Sequence, residues 1–201
     1  MRYIGVATTT LAALTLIVAG CQRQPQTVRQ RPLPPYDGGA SPAPDTFFMT
    51  SSAFKDGGKL PVRYTADGED ISPPLAWQGT PKGTASFVLV MDDPDAPSGT
   101  FTHWVLYNLP GDGKDLPAAV PKTETLPKLG GAEQGLNSAG KIGYMGPAPP
   151  PGRTHHYRFT IYALNVKLDL APGVQRAQLD KALRAQAVIL GQSMIIGTYR
   201  R

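Results

Sequence analysis

Apolar and polar positions alternate along most of the second half of this chain, and the alternation predicts strands. Phe87-Val88-Leu89-Val90-Met91 is a short continuous apolar run before a Pro/Asp turn, the pattern of a strand buried on both faces. In the next run Phe101, His103, Val105 and Tyr107 fall on one face, and Thr102, Trp104, Leu106 and Asn108 on the other. Tyr157, Phe159, Ile161 and Ala163 alternate in the same way with Arg158, Thr160, Tyr162 and Leu164. One helix is expected near the end, where Leu179, Ala182, Leu183, Gln186, Ala187 and Leu190 make an amphipathic face with Gly191 as its stop. Ile195 to Tyr199 then reads as a short last strand. Many strands, Pro/Gly turns and a late helix predict a mainly β domain, an antiparallel-rich β-sandwich with peripheral and C-terminal helices. No internal repeat is visible.

The N-terminal pattern is different. Arg2 precedes an apolar run from Ile4 to Val18, too short and one-sided for a membrane span, which reads as a secretory signal over residues 1–20. Val18-Ala19-Gly20-Cys21 resembles the lipobox at which a bacterial signal peptide is cut and the new N-terminal cysteine acylated. Cys21 is the single cysteine, so no intramolecular disulfide can form and the exported domain must rest on its core. Residues 22–45 are rich in Pro, Gln, Arg and Gly, a composition that buries too little apolar area to offset ordering entropy. Six prolines favour polyproline II there, a tether reaching up to about 70 Å at roughly 3.1 Å per residue. The domain is expected over residues 46–201.

Composition narrows the partners. The 201 residues suit one domain plus these appendages, and the formal charge is +5. Removing residues 1–20 takes away Arg2 alone and leaves 19 basic against 15 acidic residues, a net +4. Much of that excess sits at the extremities, in Arg23, Arg29, Arg31, Arg200 and Arg201. Basic residues beside a lipid anchor suit either anionic head groups or plain solvation as tail charges. No Lys/Arg stripe interleaved with aromatics is present, so a nucleic-acid partner is not expected.

The chemistry concentrates in two segments that hold all three histidines. One is Asp93-Pro94-Asp95-Ala96-Pro97 with His103-Trp104. The other runs from Gly143-Tyr144-Met145-Gly146-Pro147-Ala148-Pro149-Pro150-Pro151-Gly152 to His155-His156-Tyr157. Proline-stiffened loops that deliver carboxylates and imidazoles to strand ends describe a small polar pocket. His103 lies among apolar neighbours and needs a partner if buried, either a carbonyl or a group of the pocket. His155 and His156 enter a strand side by side, so they point to opposite faces and only one can serve a given site. Asp95 beside proline suits a turn, and Trp77 and Trp104 suit the core. The loop from Gly146 to Gly152 is either a rigid wall or a cradle of backbone amides for an anion.

These segments, with Ser72-Pro73-Pro74-Leu75-Ala76-Trp77, His103-Trp104-Val105-Leu106-Tyr107-Asn108-Leu109-Pro110 and Tyr157-Arg158-Phe159-Thr160-Ile161-Tyr162-Ala163-Leu164, resemble the phosphatidylethanolamine-binding protein family, in particular its bacterial branch. The resemblance runs from about Thr46 to the C-terminus. It implies a β-sandwich and pocket residues at Asp93, His103, Gly146, Pro149, His155 and Tyr157. Asp92 is an acid without a family role, and His156 stands where the family usually has arginine. The resemblance further implies a non-catalytic module that captures a small anionic group, a phosphate or phospholipid head group or an acidic group of a partner protein, with kinase or protease inhibition as an associated role. No cofactor is expected.

An enzyme is the competing reading, a metal- or acid–base-dependent hydrolase using Asp93, His103 and His155. Against it, Ser98 is the one serine of the two segments, no G-x-S-x-G elbow exists, and no H-E-x-x-H or paired-cysteine spacing is present. The expected location is the bacterial cell envelope, lipid-anchored at Cys21. Gln22 after the cysteine, in place of an aspartate, favours the periplasmic face of the outer membrane. Cys21→Ala should release the protein from membranes or leave it unprocessed. Fractionation checks this, and intact mass without an acyl group on the mature wild-type chain would overturn the anchor.

Overall fold

The computed structural model describes residues 46–201; the signal segment 1–20, Cys21 and the tether 22–45 lie outside the described residues. Nine strands and one α-helix follow in the order β1 (Phe48–Thr50), β2 (Leu75–Gln78), β3 (Ser86–Asp93), β4 (Phe101–Pro110), β5 (Asp115–Leu116), β6 (Thr125–Leu126), β7 (Ala132–Gln134), β8 (Thr154–Leu164), α1 (Arg176–Gln186) and β9 (Ile189–Arg200). Strands β1-β2-β5 form one sheet and β6-β7-β4-β3-β8-β9 the other. The strand pairs within both sheets are antiparallel. The expected mainly β, antiparallel architecture is the one found, with a single α-helix and short 3-10 turns beside it among the described residues.

The continuous apolar run in β3 is buried on both faces because two clusters flank it. Phe87, Leu89 and Met91 join Leu75, Trp77, Trp104, Leu106, Phe159 and Ile161 between the sheets. Val88 and Val90 join Val105, Tyr107, Leu164, Leu179 and Ala182 under α1. Trp77 and Trp104 are both core residues, 2% and 0% exposed. In β8 the alternation holds, with Tyr157, Phe159, Ile161 and Ala163 all facing the inter-sheet cluster.

Strand β4 departs from simple alternation twice. The register passes from Met91↔Trp104 to Asp92↔Thr102, so His103 is an extra residue on β4. A β-bulge of this kind bends the strand and re-aims one side chain. His103 therefore leaves the face of Val105 and Tyr107, where alternation put it, and packs against Phe101 and Tyr157, with ring centroids at 4.8 and 5.2 Å. The second shift lies between Phe87 and Leu89, opposite Asn108, which adopts φ 58°. Asn108 thus does not share the face of Trp104 and Leu106; its amide donates to Glu133 Oε2 and the Leu168 carbonyl, and its Oδ1 accepts the Leu168 N–H.

The helix and last strand also differ from expectation. Helix α1 ends at Gln186, and Ala187 is already extended. Val188 and Ile189 are β-branched, and Ile189 pairs with Leu164, so sheet formation takes the segment that helical spacing had extended to Leu190. Gly191 is not a helix stop but a strand residue in close contact, where a Cβ would lie 2.7 Å from Pro81 Cγ. Asp92 fixes α1 to the sheet: Arg176 Nη1 donates to both its oxygens at 2.7 and 2.6 Å, while Arg176 Nε donates to Asp180 at 2.9 Å. Arg176→Met would leave a largely buried carboxylate without its cation. We expect a loss of about 1–3 kcal/mol, read by urea unfolding, and an unchanged midpoint would show that the pair contributes nothing.

Candidate functional site

Strand β3 delivers Asp93 to the end of the sheet, where the chain turns through Pro94 to Pro97. Asp93 is only 3% exposed, and both of its oxygens are used. Oδ1 accepts the Asp95 N–H at 2.9 Å, which closes the turn. Oδ2 accepts from His155 Nδ1 at 2.7 Å. A carboxylate partner requires the ring nitrogen to donate, so the hydrogen of His155 sits on Nδ1 and Nε2 is left without a partner among the described residues. The Asx turn is thus built by Asp93, whereas Asp95 does something else. Its Oδ2 accepts both the backbone N–H of His156 at 2.8 Å and the His156 ring at 2.7 Å. The bond from the His156 ring is the main reason that the Asp95 carboxyl lies below its ordinary value.

The two adjacent histidines therefore face opposite ways, each with its own aspartate. His155 is buried with Asp93, and His156 is exposed with Asp95. Tyr157, two residues beyond His155, lies with its ring 6.4 Å from that imidazole. Tyr157 is fully buried and its hydroxyl has no hydrogen-bond partner among the described residues. Burial, and then the nearby Asp93 charge, push its pKa up, so the phenol remains a proton donor at neutral pH.

His103 completes the cluster. Its Nδ1 donates to the Met145 carbonyl at 2.8 Å, and the Met145 N–H donates back to the His103 carbonyl at 3.0 Å. A buried imidazole satisfied by a carbonyl is one of the two arrangements that burial allows, and it directs Nε2 away from Met145. Burial is the largest influence on this ring and lowers its pKa, against the opposing pull of the Met145 bond and the Asp93 charge. His103 is therefore neutral at pH 7, with a lone pair on Nε2.

The Gly146 to Gly152 loop is held as a wall. The Gly146 N–H donates to Asp70 Oδ1 at 2.6 Å, and the Pro147 carbonyl accepts from Ala66 at 3.0 Å. A Cβ on Gly146 would come within 2.6 Å of the Thr65 carbonyl carbon, so only glycine permits this approach. The Gly152 N–H donates to the Arg201 carbonyl. With prolines at 147, 149, 150 and 151, Ala148 is left with the one uncommitted N–H from Gly146 to Gly152. Pro149 is buried in the loop. Asp70 was not legible as a site residue. Its carboxylate also pairs with Lys122, and its φ of 53° belongs to the Asp67-Gly68-Glu69-Asp70 turn just before Ser72-Pro73-Pro74, the one sequence signal that points to it.

Ser98 is exposed in its turn, well apart in environment from the buried imidazoles. No group of three or more His, Cys, Asp and Glu side chains is arranged to hold a metal ion among the described residues. Two clefts, of about 340 and 540 Å³, are lined by other residues, one beside Asn137 and Arg176 and one beside Thr46 and Leu190. The Asp93, His103, His155 and Tyr157 cluster is by contrast tight, with each member 5% exposed or less.

Comparison with known proteins bears on the family and the fold. Residues 50–200 match the family model described as phosphatidylethanolamine-binding protein. A UPF0098 protein of Aquifex aeolicus is 48% identical over 153 residues, covering 75% of this chain and 86% of the relative. LppC of Mycobacterium tuberculosis, named as a candidate lipoprotein, is 40% identical over 161 residues, covering 79% of this chain and 75% of the relative. The crystal structure of Escherichia coli YbcL, described as a new member of the mammalian PEBP family, superimposes with a TM-score of 0.71 at 31% identity, covering 77% of this chain and 98% of that one. The fold, the matched motifs and these relatives agree: the chain belongs to the phosphatidylethanolamine-binding protein family.

Proposed function

We propose that this protein is a non-catalytic binding module whose pocket captures a small anionic group, a phosphate or phospholipid head group or an acidic group of a partner protein it inhibits. In this reading it is held at the periplasmic face of the outer membrane by acylated Cys21 and the tether over residues 22–45. A relative named as a candidate lipoprotein supports the envelope location. The observation that carries the pocket is the bond from His155 Nδ1 to Asp93 at 2.7 Å, buried beside a Tyr157 hydroxyl that has no hydrogen-bond partner among the described residues. Asp93 does not attract an anion. It orients the ring, so that Nε2 faces the ligand. His103 acts likewise from the Met145 carbonyl, and Tyr157 adds a neutral donor. Gly146 and Pro149 shape the wall.

The hydrogen-bond pattern makes binding proton-linked. Both rings already donate through Nδ1, so Nε2 can donate to an anion only when the ring is cationic. A bound anion raises the pKa of His103 above its value in the free protein, where burial holds it below 6.5. Between the two values binding takes up a proton, so affinity is greatest at low pH and falls as pH rises through this window.

Removing one donor to a charged oxygen costs about 1.5–3 kcal/mol. His103→Ala or His155→Ala should therefore weaken binding roughly ten- to a hundredfold, with Asp93→Asn weakening it through lost orientation. His156→Ala should change it little, because that ring faces outward to Asp95. Calorimetric titration with phosphate and phosphorylethanolamine at pH 5.5 to 8, values chosen to bracket an ordinary histidine pKa near 6.5, reads both effects. Equal affinities for the His155 and His156 variants would overturn the site, and absence of binding by every form would remove the anion pocket.

A further inference from the structure

The exposed large apolar side chains of the described residues are Val62, 47% exposed, and the consecutive Val188, Ile189 and Leu190, at 59, 41 and 36%. This trio sits at the junction of α1 and β9, and it is not a frayed end. The Val188 N–H donates to Asn165 Oδ1 at 2.8 Å, and the Asn165 N–H donates to the Val188 carbonyl at 3.2 Å. Ile189 pairs with Leu164. The backbone thus holds three apolar side chains out toward solvent. Beside them lies the cleft of about 540 Å³, bounded by Thr46, Pro81, Lys82, Leu190 and Gln192.

Thr46 is the residue through which the chain enters the domain, with 45 residues ahead of it that include Cys21. The pocket lies at the other end of the same strands. Gly191 pairs with Ala163 and Tyr199 with His155. Eight residues of β8 separate the two levels, roughly 26 Å at about 3.3 Å per residue. Chain entry and apolar corner therefore share one end of the sheet, and Asp93, His103 and His155 occupy the opposite end.

We propose that the Val188–Leu190 corner docks onto the phospholipid bilayer that carries the anchor, with Lys82 at head-group level, so that the pocket faces away from that bilayer. This rests on the lipid-anchored reading of Cys21. Apolar side chains beside a cationic one suit the boundary between acyl chains and anionic head groups. An anchor that confines the domain near the surface raises the effective concentration of that surface, so a small face suffices. The consequence for the pocket is selective: head groups of the anchoring leaflet cannot reach it while the domain is docked, and its ligand comes from solution or from an opposing surface.

The test uses the full chain, acylated in a bacterial host and reconstituted into vesicles of phosphatidylethanolamine and phosphatidylglycerol with a fraction of brominated acyl chains. Trp77 and Trp104 are buried and supply a common background. Emission from Val188→Trp should be quenched at least twofold more than emission from Arg153→Trp, whose site lies at the pocket end. Equal quenching at both positions, or none at 188, overturns the docking face. A dimer by light scattering that Val188→Ser dissociates would assign the corner to a second copy and overturn it as well. Intact mass reads the anchor separately: missing acyl mass removes the lipid-anchored reading, while quenching confined to 188 in such a chain would still support the docking face.

Discussion

One inserted residue in β4 determines where the site forms. Without the bulge at His103, alternation would place that imidazole on the α1 side with Val105 and Tyr107, away from Tyr157 and the Met145 carbonyl. With the bulge, the ring turns toward Phe101 and Tyr157 and reaches the Met145 carbonyl. The reciprocal bonds between His103 and Met145 then pin the start of the Gly146 to Gly152 loop. Asp70 and Ala66 hold its next two residues. A register shift in a central strand is thereby converted into a fixed wall, which is the use of bulges beside functional sites.

Around that wall the acids are divided by strand parity. Asp92 and Asp93 are adjacent, so they face opposite sides of β3. Asp92 turns toward α1 and receives Arg176 and Thr102, a structural role. Asp93 turns toward the inter-sheet side and receives His155. The same parity separates His155 from His156, and the turn through Pro94 brings Asp95 around to meet the outward ring. Two Asp–His pairs of similar geometry result, one buried and one exposed. Only the buried pair is weakly screened, because exposed ion pairs are attenuated by water.

Long-range contacts close the site at its other side. Arg201, at the end of β9, forms a two-nitrogen contact with Asp67, and Tyr199 donates to the same carboxylate. Its carbonyl receives the Gly152 N–H. The turn before Ser72, the Pro-rich loop and the chain terminus are thus tied together although far apart in sequence. These ties lie beside the buried cluster of Asp93, His103, His155 and Tyr157.

Much of this was legible from local pattern. Period-two alternation placed β8 and its core face, the continuous apolar run placed β3 between two clusters, and neighbouring positions on a strand separated His155 from His156. These follow from backbone geometry alone, and the quoted motifs identified the family and the pocket residues to examine. What local pattern could not supply were features decided by partners distant in the chain. The register against β3 created the His103 and Asn108 bulges. Pairing with Leu164 drew Ile189 and Leu190 out of helical spacing and into a strand. Gly146 lost its free amide to Asp70, 76 residues away in sequence. The sequence by itself determined which side chains each strand offers to each face and which chemistry those side chains carry. Only the tertiary structure decided which nitrogen of the buried His103 and His155 rings is committed to a protein partner, because that depends on which carbonyl or carboxylate a distant segment brings within hydrogen-bond reach.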